Sequence, residues 1–263
     1  MSLEPLPGGK NRGKVLLLPG ERLDALGPDG GLKIVQHPKL FRFSLDAYLL
    51  AAYARPRRGE TVLELGSGNG AVLLLLAART EAARVVGVEI QPILVEMAWR
   101  SILLNGLAGR IALYRGDFRQ EKAVAEGPFD LVVANPPHIP AGGGTRSPAG
   151  VLAVARHELT CTLWEVVAAA ARWVRDGGRF IMVHRAIRLT EIMATLTTWR
   201  FTPKRLTMVH PRPEAPASLL LVEACHGARP GLMVTPPLFV RDRSGTFTPA
   251  MEEVFGGRWS MNW

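Results

Sequence analysis

Hydrophobic positions in this chain fall into short and long blocks that alternate. The short blocks are apolar runs of five or six residues, the length of a buried strand: Thr61 to Leu65, Arg84 to Val88, Arg110 to Tyr114, Phe129 to Ala134 and Arg179 to His184. Between them lie longer stretches with helical spacing: Ala71 to Arg79, Pro92 to about Leu104, Val151 to Val174 in two segments divided near Thr160–Thr162, and then Leu189 to Trp199. A further helix precedes the first strand, beginning after Ser44 and ending before Pro56. Strand and helix in alternation predict an α/β fold with a mostly parallel sheet and helices on both of its faces. A closing pair of runs, Arg205 to His210 and Leu219 to Ala224, is joined by a proline-rich loop and predicts a two-strand unit with an antiparallel final strand, seven strands in all.

Local signals place the boundaries. Ser44 is a candidate cap with Asp46 in the first turn, where negative charge is favoured. Pro92 suits a first helical turn, and Asn105-Gly106 suits an end. Ile93, Met97 and Leu104 are expected to face the sheet, and Trp164 and Trp173 to pack against it. Residues 1–33 are rich in Gly and Pro with one apolar run, Val15 to Leu18, and predict a loosely built appendage with at most a small strand. The expected organisation is an extension over 1–39, a main domain over 40–230 and a tail over 231–263 that pairs loosely with the body.

Chemistry concentrates at the strand ends. The first strand carries Glu64 and runs into Gly66-Ser67-Gly68-Asn69-Gly70 ahead of a helix, which gives a tight turn, close backbone approach and free N–H groups. Glu89 closes the second strand about 20 residues further on, the place of a carboxylate that accepts ribose hydroxyls. After the third strand, Asp117 and Phe118 are placed either to bind and flank an adenine or to cap a turn and fill core. The fourth strand stops at Asn135-Pro136-Pro137-His138. The prolines remove two backbone donors, so an amide side chain stands beside a bare carbonyl, two acceptors suited to an NH2 group. The plain alternative is a strand ended by a turn. A nicotinamide enzyme fits less well, because the loop lacks GxGxxG spacing and nothing here serves hydride transfer. The glycine-rich loop over 141–150 reads as a lid or as a surface loop.

Composition narrows the partners. The 263 residues carry a formal charge of +9, which favours a polyanion such as nucleic acid. Between Ala141 and Arg205 there are ten Lys/Arg against four Asp/Glu, with Arg146, Arg156, Arg185, Arg188, Lys204 and Arg205 the candidate RNA contacts. Gathered at the strand-tip edge they would be an RNA footprint; dispersed, they would be a solvated surface. His184 and His210 read as packing residues. The two cysteines have no ligand spacing, the first residues do not form a signal region, and no uncharged apolar segment reaches 18 residues. A cytoplasmic protein is expected, with a monomer the default.

These residues together resemble the class I S-adenosylmethionine-dependent methyltransferases, within them the group bearing Asn-Pro-Pro-aromatic. The likeness covers roughly 32–240 and rests on FRFSLDAYLLAAYA, VLELGSGNGAVLLLLA, VVGVEIQP, the Gly116-Asp117 turn, DLVVANPPHIP, ARHE, GGRFIMVHR and PKRLTMVHP with LLVEA beyond it. It is similar to the bacterial tRNA adenine-N6-methyltransferases acting at position 37, beside the anticodon of valine tRNA. The resemblance implies a Rossmann-like sheet and S-adenosylmethionine as methyl donor. Gly66, Ser67, Gly68 and Gly70 would approach the methionine moiety with Glu64 nearby, Glu89 would hold the ribose and Asp117 the adenine end with Phe118 beside it, and Phe43 and Asp46 would close the methionine side. Asn135 and the Pro136 carbonyl would orient the target nitrogen, with Pro137 and His138 completing the motif and neither metal nor covalent nucleophile required. His138 departs from the family's Tyr or Phe, and a retained stacking role is expected of it. Other acceptors remain open, an rRNA or DNA base or a protein glutamine, as does a non-catalytic protein binding the cofactor or RNA.

Overall fold

The computed structural model describes residues 16–27, 30–40, 42–136, 161–257 and 259. The chain begins with a hairpin, β1 (Arg22–Leu26) and β2 (Leu32–Gln36), followed by α1 (Leu45–Ala54). Then come β3 (Thr61–Leu65), α2 (Ala71–Arg79), β4 (Arg84–Glu89), α3 (Pro92–Leu104), β5 (Ile111–Arg115) and β6 (Phe129–Ala134). After the undescribed stretch follow α4 (Leu163–Trp173), β7 (Val174–Arg185), α5 (Leu189–Thr198), β8 (Phe201–His210) and β9 (Leu219–His226). Two short strands, β10 (Met233–Val234) and β11 (Leu238–Phe239), and α6 (Pro249–Gly256) close the order.

The seven expected strands form one sheet in the order β5-β4-β3-β6-β7-β9-β8, parallel except for β9, which is antiparallel to both neighbours. The strands read as continuous apolar runs because both faces are covered. Alternate residues go to opposite sides: Val62, Leu131, Val133 and Ile181 join the core under α1, α2 and α3, while Leu63, Val132, Phe180 and Met182 join the core with α4 and α5. Helix α1 buries seven of its ten residues. It starts where the cap signal places it, with the Ser44 hydroxyl accepting from the Asp46 N–H at 3.3 Å. Helix α4 starts on a capping box between Thr162 and Glu165. Among the described residues no helix is long and apolar enough to cross a membrane.

Several side chains depart from expectation. Ile93 is 47 % exposed and Trp164 is 50 % exposed. The buried stripe of α3 runs through Leu94, Met97, Ala98, Ser101 and Ile102, which turns Ile93 away from the sheet. In α4 the stripe through Leu163, Val166, Val167, Ala170 and Trp173 leaves Trp164 on the flank, edge-on to Trp199 at 5.4 Å. At the N-terminus two strands stand where at most one was expected. Strand β2 docks on α3, with the Val35 N–H donating to Ser101 Oγ at 2.9 Å and the Lys33 N–H to Asn105 Oδ1 at 2.9 Å. Arg100 and Glu21, paired at 2.5 Å, hold the start of the hairpin to the same helix. At the other end, β10 and β11 pair with β8, so the sheet has nine strands where seven were expected, and α6 buries Met251 and Val254 completely.

This topology creates the site. From β3 the chain moves outward through β4 and β5, then returns to place β6 on the other flank of β3. The loops leaving β3 and β6 therefore run apart, and a crevice opens at the carboxyl ends of the strands, the usual ligand position in open α/β sheets.

Candidate active site

Register fixes which residues meet at that edge. Leu65 pairs with Val88 on one side and with Ala134 on the other. Gly66, Glu89 and Asn135 therefore leave three neighbouring strands at one level. The glycine loop is tied to β4 by the Gly66 and Ser67 N–H groups, which donate to the Val88 carbonyl at 2.9 and 3.1 Å. Gly70 caps α2 at φ 84°, and a Cβ there would lie 3.0 Å from that of Ala98. Only glycine meets both conditions at low cost.

The carboxylates of the site differ in environment. Glu89 is 1 % exposed and accepts from the Gly68 N–H at 2.9 Å and the Gln91 N–H at 2.8 Å, one bond to each oxygen. Each oxygen keeps a lone pair for a further donor such as a ribose hydroxyl. Glu64 is 2 % exposed, and its Oε2 has no hydrogen-bond partner among the described residues. Burial first, and the Glu89 charge second, push its pKa well above the ordinary carboxylate value, against a weaker pull from the Leu73 N–H in the first turn of α2. A carboxyl raised in the folded state supports the fold while protonated, and that support is lost as pH rises from the unfolded value through the raised one. Glu64→Gln stays neutral, so it is expected to raise the Tm of the ligand-free protein at about pH 7.5, with the gain shrinking toward about pH 4.5. Thermal melts at the two pH values check this, and a Tm difference independent of pH would count against a neutral Glu64.

Asp117 and Phe118 follow β5, whose last residue pairs with Glu89. The Asp117 carboxylate is gripped by Arg119, with nitrogens 2.6 to 3.0 Å away, and Arg119 reaches on to Glu165 of α4 at 2.8 Å. The guanidinium holds Asp117 below the usual carboxylate range. The Phe118 carbonyl accepts from Trp173 Nε1 at 3.0 Å, and its ring lies near Gly66. Phe43 packs edge-on to Tyr48, 5.8 Å between centroids, and Asp46 occupies the first turn of α1. Asn135 and Pro136 stand at the end of β6; Pro137, His138, Arg146, Arg156 and the 141–150 loop lie outside the described residues.

The proposed RNA contacts divide. Arg185 ends β7, which is parallel to β6, so Arg185 and the following Arg188 share the edge of Asn135. Arg188 pairs with Glu191 at 2.5 Å. Lys204 and Arg205 do not share that edge: Arg205 lies opposite Glu223, which is opposite Ile181, four residues short of Arg185. Arg205 pairs with Glu223 at 2.7 Å and stacks 4.1 Å from the Tyr53 ring centre, and Lys204 donates to the Arg229 carbonyl at 2.6 Å. The structure therefore does not bring these two together with Arg185 at the strand-tip edge. Arg205 is drawn inward by a carboxylate that strand pairing places beside it.

Sequence reasoning missed Gln36, Asn69, Ile90 and Arg119. Asn69 had a signal, since it lies inside the glycine loop. Ile90, 44 % exposed beside Glu89, had one in its position after the strand-tip carboxylate. The end of β3 and the loop together hold three buried polar atoms without partners among the described residues, Glu64 Oε2, Ser67 Oγ and Asn69 Oδ1. Buried polar atoms are rarely left unmatched, and this cluster next to the Glu89 carboxylate fits a ligand with an amino-acid end and a ribose. Among the described residues no cluster of three His, Cys, Asp or Glu is placed to hold a metal ion.

Comparison with known proteins agrees with this geometry. A family described as "Methyltransferase domain" matches residues 56–209. The tRNA1(Val) (adenine(37)-N6)-methyltransferase of Porphyromonas gingivalis is 31 % identical over 69 % of this chain and 73 % of its own length. Its namesake in Haemophilus influenzae is 28 % identical over 84 % of this chain and 92 % of its own. The crystal structure of a predicted O-methyltransferase from Agrobacterium tumefaciens superposes with a TM-score of 0.65 at 29 % identity, covering 81 % of this chain and 96 % of that one. The ligand-bound geranyl diphosphate methyltransferase shares the fold at a TM-score of 0.51 and 14 % identity. With a glycine loop, a buried carboxylate at the next strand tip and a switch-point crevice, the chain belongs to the class I methyltransferases, enzymes that take their methyl group from S-adenosylmethionine, and it is related to the tRNA1(Val) adenine-N6-methyltransferases.

Proposed function

We propose that this enzyme methylates the exocyclic N6 of an adenine in RNA, with position 37 of valine tRNA the acceptor that its relatives' names indicate. The observation that carries the nitrogen is the Asn135-Pro136 tip of β6, level with the glycine loop. An amide oxygen next to a proline carbonyl offers two acceptors in a row, matched to the two hydrogens of an NH2 group. A hydroxyl has one hydrogen and would leave an acceptor unmatched, so the pair favours nitrogen over the oxygen named for the Agrobacterium protein. S-adenosylmethionine supplies an electrophilic methyl group on a sulfonium. Asn135 and Pro136 hold both amine hydrogens, which fixes the nitrogen and aims its lone pair toward the Gly66 side of the crevice. As the nitrogen gains positive charge during transfer, its bonds to those two oxygens strengthen, so they stabilise the transition state more than the ground state. Arg185, exposed at the same edge, and the +9 charge support a polyanionic acceptor. His138, in the motif place where the resembling family carries Tyr or Phe, is assigned the role of stacking on the splayed base. Tritiated methyl transfer to total unmodified tRNA, followed by nucleoside analysis, tests this reading. The expected product is N6-methyladenosine; label in another nucleoside, or none in RNA while the donor binds, would overturn it.

A further inference from the structure

The N-terminal hairpin ends against the glycine loop. Gln36, the last residue of β2, is 2 % exposed although it carries an amide. Its Oε1 accepts from the Phe43 N–H at 3.2 Å and from Asn69 Nδ2 at 3.4 Å. Its Nε2 donates to Asp24 of β1, which Arg22 holds at 2.9 Å. One side chain thus joins the hairpin, the entry to α1 and the glycine loop.

The direction of this chain of bonds is determined. An ionised carboxylate only accepts, so Gln36 must turn its NH2 to Asp24. Its oxygen then faces the Phe43 N–H, which can only donate, and the remaining partner, Asn69, must also present N–H. A flipped Asn69 would set oxygen against oxygen. The Asn69 oxygen is therefore committed to the other side of its amide. That residue is 1 % exposed, and its Oδ1 has no partner among the described residues. A buried amide oxygen in this state favours any ligand that brings an N–H to it. The amino-acid end of the methyl donor brings an ammonium, and the glycine loop is where that end approaches.

We propose that Asp24, Gln36 and Asn69 form a polarity relay: Asp24 and Gln36 are positioning residues, and Asn69 Oδ1 accepts a hydrogen bond from the ammonium group of S-adenosylmethionine. The hairpin is then a working part of the donor site. The proposal depends on the methyl donor and not on which acceptor is methylated.

Calorimetric titration of the full chain with two probes tests it. S-adenosylhomocysteine carries the ammonium, and 5′-methylthioadenosine lacks the whole amino-acid end. Gln36→Leu and Asn69→Ala are each expected to weaken S-adenosylhomocysteine by about tenfold and to leave 5′-methylthioadenosine within about twofold of wild type. Gln36→Glu keeps the acceptor but sets a second carboxylate against Asp24, and should weaken S-adenosylhomocysteine too. Adding Asp24→Asn restores a donor between the two residues, and the double variant should recover to within about threefold of wild type. Equal weakening of both probes would reduce the relay to scaffolding and overturn the proposal. Unchanged binding in Asn69→Ala would overturn it as well. If Gln36→Leu does not fold, the Gln36→Glu and Asp24→Asn pair decides, and failure of that rescue counts against the relay.

Discussion

Asn135→Ala is expected to lower kcat for methyl transfer by about 10²–10³-fold, or about 3–4 kcal/mol, while the Kd for S-adenosylmethionine stays within about twofold of wild type. The variant removes one of two acceptors for the amine and leaves the Pro136 carbonyl. The acceptor can still enter, with its nitrogen free to rotate and its lone pair no longer aimed. The interaction lost is one that strengthens during transfer, so the effect belongs in kcat and not in KM. The residues proposed to hold the donor, Gly66–Gly70 and Glu89, leave the neighbouring strands, so donor binding is expected to be spared. Single-turnover methylation together with calorimetry of the donor measures both quantities. Lost donor binding with kcat retained would remove Asn135 from the orienting role.

Arg179→Ala is expected to destabilise the protein by about 3–5 kcal/mol and to lower its Tm by about 10 °C. Arg179 lies near the start of the paired stretch of β7 and donates to Glu60 at 2.6 Å, with Glu223 at 3.7 Å and the Ala54 carbonyl at 3.4 Å. Its side chain and that of Glu60 are each only 10 % exposed. Arg205 pairs with the same Glu223 and covers Tyr53, whose hydroxyl burial pushes up to about 12. The four charges link β7, β8 and β9 to the segment joining α1 to β3. Without Arg179, Glu60 becomes a buried carboxylate with no close countercharge among the described residues except Arg57, 4.0 Å away and mostly exposed. Removing one partner of a buried pair costs far more than the intact pair contributes, because the remaining charge is stranded. Urea unfolding measures the loss; a change below about 1 kcal/mol would show that Glu60 relaxes into water. Arg205→Ala leaves Glu223 with Arg179, so it should cost less.

What could be read from the chain was local. Each strand end carries its polar residues within a few positions of an apolar run, so Gly66, Glu89 and Asn135 could be placed at strand ends without knowing the sheet. The charged residues were not legible in this way. Arg185 and Arg205 look alike in sequence, yet strand pairing sends one to the crevice edge and sets the other beside Glu223. Gln36 and Asn69 are 33 residues apart, and nothing in either neighbourhood marks them as partners. The hairpin leaves little trace in sequence because Arg22–Leu26 pairs through its backbone and shows little apolar pattern of its own.

The sequence alone determined the alternating strands and helices, seven of the nine strands of the main sheet, the glycine loop, and the carboxylate and amide at the strand tips. All of these follow from hydrophobic periodicity and short-range stereochemistry, which act within about ten residues. The tertiary structure decided which basic residues share an edge with Asn135, that Glu64 is buried under the first turn of α2, and that a hairpin side chain sets the direction of the Asn69 amide. Those outcomes depend on strand register and on which buried polar group finds a partner, and both are settled only when distant segments pack.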